Sequence, residues 1–71
     1  MFEVTASYAA DHTRPSIFRK GKTMLFRKGE RVGMYEYADD RSGLVAAAHR
    51  LRALLPGRPL RIHVENIGTP A

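Results

Sequence analysis

The sequence predicts an α+β domain: an antiparallel sheet of four or five strands, a β-meander, with one helix on one face, in the order β-β-β-β-α-β. Three observations predict it. Polar and apolar residues alternate in FEVTASYA (2–9) and again in LRIHVE (60–65), the period of half-buried strands. Between them, a stretch rich in β-branched and aromatic residues is broken twice by Lys-Gly, at 20–21 and 28–29, the punctuation of successive hairpins. Finally, DDRSGLVAAAHRLRALLPG (39–57) carries apolar residues at helical spacing.

In the first strand, Phe2, Val4, Ala6 and Tyr8 fall on one face and Glu3, Thr5 and Ser7 on the other. ADHTRPS (10–16) reads as a loop, because Pro15 pushes Arg14 out of the helical region. The next stretch contains FRKG twice, at Phe18–Gly21 and Phe26–Gly29. Two-residue turns at Lys20-Gly21 and Lys28-Gly29 give strands at about 15–20, 22–28 and 31–38. In that register Phe18 faces Thr23, Ile17 faces Met24, Arg27 faces Glu30 and Leu25 faces Val32, while Phe18 and Phe26 point to opposite faces. A bulge at Gly21 within one long strand is the alternative. For the helix, Asp40 or Ser42 caps the start, and Pro56-Gly57 ends it. Leu44, Ala47, Ala48, Leu51, Leu54 and Leu55 form its apolar stripe. The last strand returns to the central strand of the sheet, leaving one sheet face uncovered. A single domain over 1–66 is expected, followed by a flexible C-terminal tail at 67–71.

Seventy-one residues are near the lower limit for a core without staples. The chain has no cysteine, which rules out disulfides and thiolate metal sites and fits a reducing, cytoplasmic setting. The amino end lacks the apolar core of a secretory signal. The longest apolar run, Leu44–Ala48, falls far short of the roughly 20 residues that span a bilayer, so no membrane association is expected. The net charge is +5, distributed in blocks. Arg19, Lys20, Lys22, Arg27, Lys28 and Arg31 cluster against Glu30 alone. After an acidic ledge at Glu36, Asp39 and Asp40 come Arg41, Arg50, Arg52 and Arg58.

No catalytic, metal or cofactor constellation stands out. His12, His49 and His63 lie on a loop, the helix and a strand without paired spacing. Asp39-Asp40 is explained by a helix N-terminus. RKGKT (19–23) holds Gly-Lys-Thr, but Ser16 stands where a phosphate loop needs its first glycine. The order of antiparallel strands, a helix and a final strand, with DRSGLVAAAHRLRALL followed by PLRIHVEN, resembles the first half of the ribonuclease H-like fold. HicB-like antitoxins and small phage-encoded inhibitors of CRISPR complexes share that abbreviated arrangement. The resemblance implies a last strand joining in parallel and carboxylates on the first strand, at the helix start and on the last strand. This chain offers Thr5, Ala6 and Ser7 at the first place, Gly43 at the second, and Glu65 at the third. Such a relative is degenerate and non-catalytic, and it lacks the helix-turn-helix of a full antitoxin.

The expected function is therefore binding without catalysis. The basic hairpins, Arg19, Lys20, Lys22, Arg27, Lys28 and Arg31, would engage nucleic acid or a nucleoprotein complex through phosphates. Tyr35 and Tyr37 share a face and supply stacking surface, and Arg50, Arg52 and Arg58 form a second basic surface. The alternative is a protein-interaction module, either a homodimer through the uncovered sheet face or a phage or mobile-element inhibitor docked on an acidic protein surface. Arginine outnumbers lysine nine to three, and arginine is enriched at protein interfaces.

Overall fold

A computed structural model describes residues 1–68; the end of the expected tail, 69–71, lies outside the described residues. The chain is α+β with the expected element order. It comprises β1 (Phe2–Tyr8), β2 (His12–Pro15), β3 (Thr23–Phe26), β4 (Arg31–Ala38), α1 (Arg41–Leu54) and β5 (Leu60–Asn66). The strands divide into a three-stranded sheet ordered β4-β1-β5 and a separate two-stranded ribbon, β2-β3. Every pairing is antiparallel.

The alternation of β1 does what its period requires. Val4, Ala6 and Tyr8 are buried on the face that α1 covers, where Val4, Ala47 and Leu51 form the core with Met34, Leu44 and Ile62 packed around them. Leu54, at the margin of the helical stripe, stays 59% exposed. Asp40 is the helix cap: its backbone is extended and its carboxylate accepts the Gly43 N–H at 2.8 Å and the Ser42 hydroxyl at 3.2 Å. Ser42 therefore supports the cap. Between Thr5 and Ser7 the β1–β4 register shifts. Val32, Gly33 and Met34 oppose Ala6 alone, and such a bulge bends and twists its strand.

The expected meander is corrected in two ways. First, the segment 15–20 is not a strand. His12–Pro15 pairs with Thr23–Phe26, so Thr13 faces Leu25 and Arg14 faces Met24. The Ser16 side chain accepts the N–H groups of Phe18 (3.2 Å) and Arg19 (3.1 Å), and these local bonds compete with strand pairing. A seven-residue connection, 16–22, results, closed by Ser16 N–H to Lys22 C=O at 2.8 Å. Second, β3 does not pair with β4, so Leu25 and Val32 are not partners. The chain turns at 27–30 and docks that turn on the end of β1: Tyr8 N–H donates to Glu30 C=O at 2.9 Å, and Gly29 N–H to Tyr8 C=O at 2.8 Å.

Both FRKG segments do form turns. Lys22 N–H bonds Arg19 C=O at 3.1 Å and Glu30 N–H bonds Arg27 C=O at 2.9 Å. Each places its glycine third, with φ +81° at Gly21 and +89° at Gly29, the conformation a type II turn requires.

Because β4 pairs directly with β1, the helical crossover from β4 delivers β5 to the other edge of β1 in antiparallel direction. This differs from the parallel neighbour that the ribonuclease H-like resemblance implies. The reason is direction: β4 runs opposite to β1, and the helical crossover makes β5 parallel to β4, so β5 is antiparallel to β1. Beyond β5, Ile67 N–H bonds Met1 C=O at 3.1 Å, and the Met1 ammonium donates to Gly68 C=O at 3.2 Å. The first two residues of the expected tail are thus tied to the amino end. No helix among the described residues is long and apolar enough to cross a membrane.

Leu51 is 2% exposed at the centre of a small core. Truncation to alanine should cost about 2–5 kcal/mol, measured by urea denaturation. Gly29→Ala should cost about 1–2 kcal/mol through left-handed backbone strain. A Gly29→Ala midpoint equal to that of the parent would reject the turn geometry.

Candidate nucleic-acid interface

The basic residues sort into three groups. Arg19, Lys20 and Lys22 sit in the connection at the free end of the β2-β3 ribbon. Arg27, Lys28 and Arg31 gather at its base, where the second turn meets β1 and β4. The two turns lie at opposite ends of β3, as two separate basic tips. Of Arg50, Arg52 and Arg58, the first two are exposed and Arg58 is half-buried, and each makes a contact with the fold. Arg50 pairs with Glu36 at 2.5 Å, Arg52 donates to Leu60 C=O at 3.2 Å, and Arg58 donates to the Tyr8 hydroxyl at 2.6 Å.

Arg58 belongs to the joint between ribbon and sheet. Tyr8 stacks on Phe26 with ring centroids 4.9 Å apart and on His12 at 6.1 Å. The Arg58 guanidinium lies 5.0 Å from the Phe26 ring centroid, within cation–π range. Asp11 accepts the Lys28 N–H at 2.7 Å. One phenylalanine of the repeated FRKG is therefore packed at the joint. The other, Phe18, is 85% exposed at the ribbon tip beside Ile17, which is 88% exposed. Their different fates come from the seven-residue connection rather than from a two-residue turn. A groove of about 580 Å³ runs back from the tip, lined by Arg14, Ile17, Phe18, Met24, Phe26 and Arg58.

The sheet face opposite α1 carries a second set of groups, arranged in rows by the registers. Tyr37, Glu3 and Glu65 lie across one end; Tyr35, Thr5 and His63 across the middle; Arg31, Ser7 and Arg61 across the other end. The face thus grades from acidic to basic along the strands. Tyr35 and Tyr37 are 59% and 50% exposed and meet edge to face at 5.5 Å. They share a face, as the alternation predicts. Ser7 Oγ lies 2.6 Å from His63 Nε2. Ser7, Arg61 and His63 were not among the sequence-predicted site residues. The alternation of LRIHVE puts Arg61, His63 and Glu65 on one face, but nothing local says that Ser7, more than fifty residues away in the chain, lies beside them. Among the described residues, no group of three or more His, Asp or Glu side chains is placed to hold a metal ion.

The Tyr37 phenol is raised above the ordinary tyrosine value. Partial desolvation among its neighbours is the largest cause, followed by the proximity of Tyr35 and Glu3. The native state therefore holds this proton more tightly than the unfolded chain does. Its contribution to stability is intact below the ordinary tyrosine range and is lost as pH rises through the raised value. In a spectrophotometric alkaline titration, Glu3→Gln should bring Tyr37 part of the way back towards its ordinary value; an unshifted titration would exclude Glu3 as a cause. Comparison of the chain with protein-family models, with curated proteins and with solved structures gives no match.

Proposed function

We propose that the protein is a non-catalytic nucleic-acid-binding module that works through its basic ribbon. One observation carries the reading: Ile17 and Phe18 are almost fully exposed at the end of an arm whose connecting loop also bears Arg19, Lys20 and Lys22. An isolated apolar pair in water has no folding purpose, and burying each side chain against a partner would contribute about 1.5–3 kcal/mol. Apolar side chains flanked by cations suit a base step or groove edge, where cations take phosphates and the apolar tip wedges between bases. Arg27, Lys28 and Arg31, at the base of the ribbon, supply a second, separate set of cations for phosphates. Tyr35 and Tyr37 on the open sheet face provide further stacking surface for an unpaired strand.

An acidic protein pocket is the competing partner, since the same tip would fill it. Salt dependence and base contact separate the two. Fluorescence anisotropy with labelled duplex DNA, single-stranded DNA and RNA should show binding at low salt. Affinity should fall linearly on logarithmic axes with a slope of roughly −0.7 to −0.9 per phosphate contact. The Lys20→Glu/Lys22→Glu/Lys28→Glu variant should lose affinity at least tenfold while keeping the parent circular dichroism spectrum. Phe18→Ala should weaken binding without changing the salt slope. No binding of any of the three nucleic acids by the parent protein at low salt would overturn the reading and favour a protein partner.

A further inference from the structure

We propose that the basic end of the open sheet face is a binding site for a phosphoryl group, distinct from the ribbon tip. Ser7 on β1 is flanked by Arg31 on β4 and by Arg61 on β5, each its direct cross-strand partner. Their side chains therefore stand on the same face, in one row. Adjacent strands lie about 4.8 Å apart, so the two arginine backbones are about 10 Å apart with Ser7 midway. Two guanidinium groups reaching inward from that spacing can close on one tetrahedral oxyanion.

The row opens into a cleft of about 460 Å³, whose lining includes Ser7, Lys28, Gly29, Arg31, Arg61 and His63, with Glu65 on its far side. The turn at 27–30 is bonded to Tyr8, and this brings Lys28 to the cleft as a third cation. Ser7 is 6% exposed, and its Oγ is held 2.6 Å from His63 Nε2. When the imidazole nitrogen donates to Oγ, the serine hydroxyl proton is free to point into the cleft. Among the described residues the single ion pair is Arg50–Glu36. Arg31 and Arg61 thus face one another across Ser7 without a carboxylate between them. A bound dianion would supply the opposite charge that this pair of cations lacks. The clamp has one side chain held in place, Ser7 against His63, while the exposed cations Arg31, Arg61 and Lys28 spring from backbone positions that the sheet and the docked turn fix.

The ligand chemistry is a phosphate monoester or phosphate itself, and it has two sources: a free small molecule, or the terminal phosphate of a nucleic-acid strand. Titration of the isotopically labelled full chain with inorganic phosphate, followed by NMR, tests the site directly. Saturable shifts are expected at the His63 ring and the amides of Ser7, Arg31 and Arg61. The Arg31→Gln/Arg61→Gln variant should weaken phosphate binding at least tenfold, and His63→Gln should weaken it independently. Lys20→Glu/Lys22→Glu, which disables the ribbon, should leave it unchanged, so failure of the ribbon reading does not affect this test. With oligonucleotides, a tenfold preference for a 5′-phosphorylated over a 5′-hydroxyl strand that disappears in Arg61→Gln supports strand ends as the source. Equal affinities alongside retained phosphate binding support a free phosphate compound. Shifts that fail to saturate, or that persist unchanged in the double arginine variant, would overturn the site.

Discussion

The architecture depends on how Tyr8 is held at the end of β1. Its ring is 3% exposed, stacked on Phe26 and His12, and its hydroxyl accepts from Arg58. Its backbone N–H and C=O are both taken by the turn at 27–30. One residue therefore joins four pieces of chain: the central strand, the start of β2, the end of β3, and the loop before β5. A two-stranded ribbon is marginal on its own in water. This one is anchored because its base rests on an aromatic cluster continuous with the sheet. Within that cluster His12 Nε2 and Arg58 Nε are buried without a partner, so stacking and cation–π attraction hold these groups where hydrogen bonding is incomplete.

The joint also decides which cations are free. Arg58 is drawn into the aromatic cluster, and Arg50 and Arg52 are used to tie α1 to β4 and to the start of β5. Other cations stand at the ribbon tip (Arg19, Lys20, Lys22), at the basic end of the open face (Arg31, Arg61) and, apart from both, at the helix start (Arg41). Tip and open face are thus two electropositive places of different character on a chain whose net charge is +5. One is an exposed loop with an apolar point. The other is a clamp on the sheet, built around a serine and a histidine. The open face itself is graded in charge along the strands and carries the exposed Tyr35 and Tyr37.

The turn chemistry of the doubled FRKG was legible, because glycine in a turn is a local requirement: the positive φ is set by four consecutive residues. The partners of the flanking strands were not. The alternation and glycine spacing of residues 15–28 fit a meander as well as a ribbon that leaves the sheet. The choice rests on Ser16 bonding its own neighbours and on Tyr8 capturing the second turn. The basic residues of the candidate interface were legible as a cluster in the chain. Their separation into tip and base, and the contacts that Arg50, Arg52 and Arg58 make with the fold, were not. Ser7, Arg61 and His63 escaped notice for the same reason: each is ordinary in its own segment, and only cross-strand registry makes them a group.

By itself the sequence determined the element types and order, a helix start capped by Asp40 or Ser42, the apolar face of β1 and the two glycine turns. These are decided by periodicity and by backbone preferences acting over a few residues. Only the tertiary structure decided that β2 and β3 form a separate ribbon, that β5 runs antiparallel to β1, and that two arginines flank Ser7. Those outcomes depend on which distant segments pair. Pairing is governed by the packing of side chains far apart in sequence, here the closure of Phe26, His12 and Arg58 around Tyr8.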